Sequence, residues 1–97
     1  MMFAKTKQVR LKGQALNKLV AQVYERDQHK CAVCGRWVED GHKPHHEPPG
    51  YGRKSDELGK MVLLCDACHY ERHHGKSADT VKDKIERYLA WMGEELP

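Results

Sequence analysis

The sequence contains no long hydrophobic run. Its mean hydropathy is −0.84, and apolar stretches such as MVLL at residues 61–64 are far shorter than the roughly 20 residues of a membrane-spanning helix. The amino terminus also lacks the basic and then apolar pattern of a secretion signal. We therefore expect a cytoplasmic location and no membrane partner.

Aromatic residues are also few, at 7% of the chain, and asparagine occurs once, as Asn17. A chain of 97 residues is expected to form one domain with a thin hydrophobic core. Such a core needs additional stabilisation by disulfides or by a bound metal, and the four cysteines can supply either.

The cysteines form two Cys-x-x-Cys pairs. Cys31 and Cys34 are the first pair, and Cys65 and Cys68 the second. This spacing suits a tetrahedral zinc ion held by four thiolates, whereas a disulfide within each pair would be strained. A redox role is the alternative, but two such pairs without a βαβ pattern favour metal. Because four thiolates leave no position for water or substrate, we expect this zinc to be structural.

Hydrophobic spacing predicts a helix near each end of the chain. Apolar residues recur at steps of three and four over residues 13–27 and again over residues 78–92. A domain this small needs both apolar faces for its own core, so a partner-binding or membrane-surface role for the second helix is the weaker alternative. Residues 1–12 have few apolar positions and are expected to form a basic, mobile arm ahead of a single domain at residues 13–97.

The middle of the chain, residues 29–75, is predicted to form the core of the domain. Short strands are expected at residues 36–39, 43–47 and 61–64, the last two paired as a hairpin. A helical pattern follows over residues 66–75 and stops at a glycine. The predicted fold class is therefore α+β, with the order strand, strand, helix between two flanking helices.

Six of the seven histidines lie between residues 42 and 74, interleaved with the cysteines. His69 and His73 are four residues apart, which places both imidazoles on one face of a helix, able to bind one divalent metal. His45 and His46 are adjacent on a strand, so one can bind the metal while the other faces elsewhere. Ordinary surface or core histidines are the alternative, but two such pairs beside a cysteine site favour a second metal.

Positive charge is concentrated at the front of the chain, although the net charge is only +3. Five basic residues precede the first acidic residue, Glu25, namely Lys5, Lys7, Arg10, Lys12 and Lys18. This segment could contact phosphates, or it could be a solvated basic tail, and charge alone does not separate the two.

Three motifs together resemble those of the HNH nuclease family. They are CAVCG at residues 31–35, PHH at residues 44–46 and LLCDACHYERHHG at residues 63–75. The likeness covers nearly half of the chain and is strongest to compact stand-alone members found in phages and prophages. It implies a ββα-metal fold that grips one catalytic metal, in agreement with the predicted order of strand, strand and helix.

The resemblance assigns roles position by position. His45 is at the place of the first metal ligand, and His46 is at the place of the general base that activates the attacking water. His69 and His73 would complete the metal site, with His74 as the substitute for His73 if the helix ends early. Three imidazoles suggest tolerance for Mn²⁺, Ni²⁺, Co²⁺ or Zn²⁺ in addition to Mg²⁺.

The implied enzyme is a metal-dependent DNA endonuclease that leaves 5′-phosphate ends. We expect Arg53, Lys54 and Arg72 to contact DNA phosphates, which fixes position without reading bases. No separate major-groove module is recognisable, so nicking or cleavage with loose sequence preference is expected. In phages such proteins often act beside the DNA-packaging terminase, which is therefore the implied protein partner. His29 and His42 match no motif and are taken as surface residues.

One position departs from the family pattern. The family's asparagine falls five residues before the third cysteine, where this chain has Lys60. In the family that asparagine usually orients the loop that carries the base. Lysine has no acceptor and is a poor ligand while protonated, but its ammonium could reach a phosphate at the catalytic site. The alternative function is therefore a non-catalytic zinc module, derived from such a nuclease, that binds DNA or protein.

Overall fold

The structure, a computed structural model, describes residues 8–50 and 52–95. Within this range the chain is a small α+β domain with three α-helices and a two-stranded antiparallel sheet, which confirms the predicted class. No helix in the described range combines the length and the apolar character that a membrane crossing requires. The elements in chain order are α1 (Gly13–Asp27), β1 (His45–His46), a 3₁₀ turn (Leu58–Lys60), β2 (Met61–Val62), α2 (Asp66–His74) and α3 (Ala78–Glu95).

Helix α1 spans the residues that its apolar spacing predicts. It begins after Lys12, which is extended, and ends where Gln28 takes a left-handed φ of 55°. Its inner face buries Leu19, Val23 and Tyr24, which pack with the residues of β2 in the hydrophobic core. The predicted amphipathic helix is therefore confirmed in position and in the face that it buries.

The buried carboxylate of Asp27 joins α1 to the rest of the domain. It accepts hydrogen bonds from the Leu63 N–H at 2.9 Å and from the Tyr88 hydroxyl at 2.5 Å. Arg26 donates to the same carboxylate at 2.7 Å and to the carbonyl oxygen of Met61 at 2.5 Å. Because a buried charge without partners costs several kcal/mol, these bonds are what allows Asp27 to lie in the core.

The predicted hairpin forms, but its strands are shorter than expected. Pro48 and Pro49 follow β1 and have no N–H to donate, so they end the pairing on that side. The register pairs His45 with Val62 and His46 with Met61. This pairing places the two histidines against the buried strand β2.

The prediction of a strand at residues 36–39 is wrong. A single bridge between Lys30 and Trp37 forms there instead. The chain turns tightly around the first cysteine pair, and the Cys31 carbonyl oxygen accepts from the Gly35 N–H at 2.9 Å. This turn uses backbone groups that a longer strand ladder would need.

Helices α2 and α3 pack against each other and complete the core. Helix α2 ends just before Gly75, as predicted. Helix α3 buries Val81 and Ile85 on its inner face, also as predicted. It continues to Glu95, beyond the predicted end at residue 92, because glutamate is a good helix former and no proline interrupts the segment.

Residues 8–11, part of the predicted arm, run alongside the loop that precedes the 3₁₀ turn. The Val9 N–H donates to Ser55 Oγ at 2.8 Å, and the Asp56 N–H donates to the Val9 carbonyl oxygen at 2.7 Å. The Leu11 N–H donates to Asp56 Oδ2 at 2.8 Å. The basic residues of the arm at positions 5 and 7 lie outside the described residues.

Candidate functional site

The four cysteines come together at one place in the fold. Cys31 and Cys34 lie on the turn after α1, and Cys65 and Cys68 lie at the start of α2. Their sulfur atoms are within 4.8 Å of one another, with 3.6 Å between Cys34 Sγ and Cys65 Sγ, and all four are free thiols. A tetrahedral zinc ion with bonds of about 2.3 Å separates its sulfur ligands by about 3.8 Å. The four thiols are therefore spaced to share one metal ion.

Backbone N–H groups stabilise negative charge on this cluster. The Val33 N–H donates to Cys31 Sγ at 3.4 Å, and the Cys68 N–H donates to Cys65 Sγ at 3.5 Å. Burial alone would raise the pKa of Cys31, but the surrounding backbone donors outweigh it and lower that pKa. Because the thiolate is the form that binds metal, the backbone donors favour metal binding at Cys31, whereas burial and the neighbouring thiols raise the pKa of Cys34 and of Cys68.

Three histidines converge beside the hairpin. His45 is on β1, and His69 and His73 are one turn apart on α2. Each offers a ring nitrogen, and these nitrogens lie within 4.8 Å of one another. The three imidazoles can therefore share one divalent metal, and they leave further coordination positions for water or a phosphate oxygen.

His45 is buried and paired with a carboxylate that the sequence analysis missed. Its Nε2 lies 3.0 Å from Glu47 Oε1, and the two side chains are 2% and 3% exposed. With Nε2 donating to Glu47, Nδ1 is the nitrogen left for a metal, and a carboxylate in this place fixes the tautomer of a metal-binding histidine. Burial lowers the pKa of His45 to about 4. The imidazole therefore stays neutral, as metal binding requires, even at pH values well below about 7.

Arg72 anchors Glu47 to α2. Its Nε donates to Glu47 Oε1 at 2.9 Å and its Nη2 donates to Oε2 at 2.8 Å. Burial alone would raise the pKa of Glu47, but the hydrogen bonds from Arg72 and His45 outweigh it and hold that pKa below its usual value. Arg72 thus ties the helix to the strand behind the histidine group. These two donors already bind Glu47, so they are not free for a DNA phosphate. The expected contact of Arg72 with DNA stays a prediction.

The neighbouring His46 is paired with a different carboxylate. Its Nε2 lies 2.8 Å from Asp56 Oδ1, and its side chain is 18% exposed whereas that of Asp56 is 2% exposed. Burial alone would raise the pKa of Asp56, but hydrogen bonds from the Leu11 N–H and His46, with the charge of Arg10, outweigh it and lower that pKa. An ionised Asp56 accepts the proton on Nε2, so Nδ1 is the nitrogen of His46 that can take a proton from water.

A cleft of about 250 Å³ opens beside these histidines. Lys54 lines it, whereas Arg53 is exposed on the preceding loop. Lys60 does not line it, and its ammonium lies 3.4 Å from Glu57 Oε2. The lining consists of Lys43, Pro44, His45, His46, Pro49, Gly50, Lys54, His69 and His73. Of the expected site cations, Lys54 thus lines the cleft, whereas Arg53 and Lys60 do not.

Three other histidines do not belong to the converging group. The ring of His74 lies against that of Tyr70, with 5.1 Å between the ring centroids. His29 stacks on Trp37 at 4.8 Å and is half-buried, as is His42. Their side chains are 32% and 38% exposed, so both lie at the surface, as expected. The structure brings His73, rather than its substitute His74, to His45.

Glu47 and Asp56 are the candidate functional residues that sequence reasoning missed. Glu47 had a signal, because it is two residues after His45 and alternate residues of a strand share a face. Asp56 had no comparable signal, because its approach to His46 depends on the path of the intervening loop.

The site defines the class of protein as a small α+β domain with two groups of side chains that can each bind a metal, beside a histidine paired with a carboxylate. Comparison with protein-family models, with curated proteins and with solved structures gives no match for this chain.

Proposed function

We propose that the protein is a metal-dependent DNA endonuclease of the HNH, or ββα-metal, type. The observation that carries the proposal is the convergence of His45, His69 and His73 on one metal-sized space, with His46 lining the same cleft. The order of elements agrees, because β1, β2 and α2 follow one another and supply all four histidines. A metal site beside a general base is a combination that can catalyse phosphodiester hydrolysis.

His46 is the general base in the proposed reaction. Asp56 accepts its Nε2–H, which leaves Nδ1 able to take a proton from a water molecule in the cleft. A divalent metal bound by His45, His69 and His73 supplies Lewis-acid stabilisation of the phosphate and of the leaving 3′ oxygen. The proposed products therefore have 5′-phosphate ends.

The two metal groups have different proposed occupants. The four cysteines hold a structural zinc, because four thiolates close the coordination sphere. The three imidazoles suit Mn²⁺, Ni²⁺, Co²⁺ or Zn²⁺ better than Mg²⁺, which prefers oxygen ligands. The cysteine site then stabilises the fold, and the histidine site carries the chemistry.

Cations at the cleft are the proposed DNA contacts. Lys43 and Lys54 line the cleft, and Arg53, next to Lys54 in the chain, is exposed. Such contacts hold phosphates in register but do not read bases, so the proposed cleavage has a loose sequence preference. A partner such as a phage terminase would then direct the enzyme to its site.

Cleavage of supercoiled plasmid by the pure protein tests the proposal. We expect nicking or linearisation with Mn²⁺, Mg²⁺ or Ni²⁺, and none after the exchangeable metal is removed with zinc content unchanged. His46→Ala should abolish cutting but keep the fold and both metals, whereas the matched control His74→Ala, on an exposed position of α2, should cut like the wild type. Cutting by His46→Ala at the wild-type rate would overturn the mechanism.

A non-catalytic zinc module that binds DNA or protein is the second candidate. The observation that favours it is Lys60, whose ammonium pairs with Glu57 and does not line the cleft. Metal analysis separates the two candidates, because a nuclease holds two metals of different exchangeability and the module holds one tightly bound zinc. If the wild type cleaves no DNA with any of the metals, Lys60→Asn is the next variant to test. Absence of cleavage by that variant would favour the zinc module.

A further inference from the structure

We propose that Asp56 is the positioning residue for His46, and that the segment before α1 holds Asp56 in that role. This inference rests on the proposed function, because it takes His46 as the base. Three contacts of one buried carboxylate carry it. His46 Nε2 lies 2.8 Å from Oδ1, the Leu11 N–H donates to Oδ2 at 2.8 Å, and Arg10 Nε lies 3.8 Å from Oδ2.

The two oxygens of Asp56 have separate partners, so the carboxylate cannot rotate without losing a bond. The backbone around it is also fixed, because its own N–H donates to the Val9 carbonyl oxygen at 2.7 Å. The Val9 N–H in turn donates to Ser55 Oγ at 2.8 Å. Backbone bonds from the segment before α1 therefore set the direction in which Asp56 meets His46.

This direction matters because a general base must present an unprotonated nitrogen to water. A carboxylate can only accept, so Asp56 fixes the proton of His46 on Nε2 and keeps Nδ1 free. Lys60, at the position of the orienting asparagine in HNH nucleases, pairs with Glu57 instead. The orienting role therefore lies with Asp56, four residues earlier in the chain.

Asp56→Asn tests this role because it keeps the size of the side chain and removes one acceptor. The Leu11 N–H and the His46 Nε2–H then compete for a single amide oxygen. The backbone donor of Leu11 is fixed, so the amide oxygen pairs with it and the amide NH₂ faces His46. His46 must then accept at Nε2 and carry its proton on Nδ1, the nitrogen that has to be free.

The first measurement is the tautomer of His46, by long-range ¹H–¹⁵N NMR of the zinc-loaded full chain at about pH 8. We expect the Nε2–H form in the wild type and the Nδ1–H form in Asp56→Asn. The matched control Glu39→Gln changes an exposed carboxylate that takes part in none of these contacts, and it should leave the wild-type tautomer. An Nδ1–H tautomer in the wild type itself would overturn the proposal whether or not the variant folds.

The second measurement is plasmid cleavage by the same variants. A change from carboxylate to amide behind a catalytic histidine can lower turnover by as much as about 10⁴-fold through the wrong tautomer. We expect kcat of Asp56→Asn to fall by at least about 10²-fold while KM for the plasmid stays within about twofold. Metal content should not change. A rise in KM at unchanged kcat would contradict a positioning role.

The part played by the segment before α1 is tested by two deletions. Removal of residues 1–10 takes away the Val9 and Arg10 contacts but keeps the side chain of Leu11, which packs on the core. We expect the His46 ring to lose its single tautomer there. Removal of residues 1–7 alone should leave the tautomer as in the wild type. Identical spectra for both deletions would exclude the Val9 and Arg10 contacts from the role.

The outcomes separate this inference from the proposed function. The tautomer is measured without DNA, so a switch in Asp56→Asn supports the positioning role even if the wild type never cuts DNA. If the wild type cuts and Asp56→Asn keeps both the Nε2–H form and the full rate, the nuclease proposal stands and the role of Asp56 is wrong.

Discussion

The carboxylate of Glu47 and the guanidinium of Arg72 meet in a two-point ion pair, with bonds of 2.9 and 2.8 Å, between the hairpin and α2. Both side chains are largely buried, and the same carboxylate also accepts from His45. The pair therefore fixes the strand that carries one imidazole of the histidine group to the helix that carries the other two.

Glu47→Gln should weaken metal binding by the histidine group. Loss of a carboxylate behind a metal-binding histidine commonly lowers metal affinity by about 10- to 100-fold, because the tautomer and the ligand basicity are no longer set. Calorimetric titration of the zinc-loaded protein with Co²⁺ or Ni²⁺ measures the change. Glu57→Gln, a change of the same kind at a carboxylate outside the group, should bind like the wild type. Equal affinities for the two variants would show that Glu47 does not act on the site.

Arg72→Met should destabilise the fold by about 3 kcal/mol, because it leaves the carboxylate of Glu47 buried without its cation. Urea denaturation at fixed metal concentration measures this loss. The matched control is Arg87→Met, which removes an exposed ion pair with Asp83 of 3.0 Å and should cost less than about 1 kcal/mol. A similar small loss for both variants would mean that the Glu47–Arg72 pair adds little to stability.

The free energy of unfolding should fall as the pH is lowered, because the folded protein disfavours protonation of His45. Burial lowers the pKa of His45 to about 4, whereas in the unfolded chain a histidine titrates at about 6.5. Between these values the unfolded state binds the extra proton, so stability that is present above about pH 6.5 is lost as the pH falls towards 4.

From about pH 6.5 to about pH 5 this single group should remove about 2 kcal/mol of the free energy of unfolding. The expected signature is a shallower pH dependence in His45→Gln than in the wild type, from urea denaturation in the same buffers. With no metal at the histidine group, protonation of the cysteine site affects both proteins alike, so the difference between the two curves isolates His45. Parallel curves would mean that His45 titrates in the fold as it does in the unfolded chain.

Loss of the metal at the four cysteines should unfold the domain. A structural zinc contributes roughly 10 kcal/mol or more of folding free energy, which is comparable with the whole stability of a domain of this size. Cys65→Ser should therefore show no cooperative thermal transition by circular dichroism, and strong chelation of the wild type should give the same result. Ala67→Ser, on the exposed side of α2 between the two cysteines, should melt like the wild type. A folded Cys65→Ser would argue against the zinc.

The helices were predictable because their apolar spacing and their packing agree. Val23 and Ile85 lie on the predicted inner faces of α1 and α3, and both are fully buried. The hairpin was also predictable, because the apolar run at residues 61–64 needs a buried partner. The strand predicted at residues 36–39 was wrong because the turn at the first cysteine pair takes the Cys31 carbonyl oxygen, which a longer ladder would need, and residue type alone does not reveal this constraint.

At the site, the cysteines and histidines could be predicted from the sequence, because these residue types are common metal ligands. It did not find the carboxylates that hold them. Glu47 shares a strand face with His45 and could have been inferred from alternation. Asp56 meets His46 only through the loop path and the bonds to Val9 and Leu11, which connect residues about 45 positions apart in the chain and leave no local pattern.

Cys68 and His69 are consecutive in the chain, yet they belong to different ligand groups. The nine-residue helix that contains both is too short to persist alone in water. A metal ion bound by the cysteines at the first turn of this helix would stabilise the helix. Only then would His69 and His73 be aligned with His45. Maturation of the protein would therefore be ordered, and chains produced under zinc starvation would be unable to capture the second ion at all.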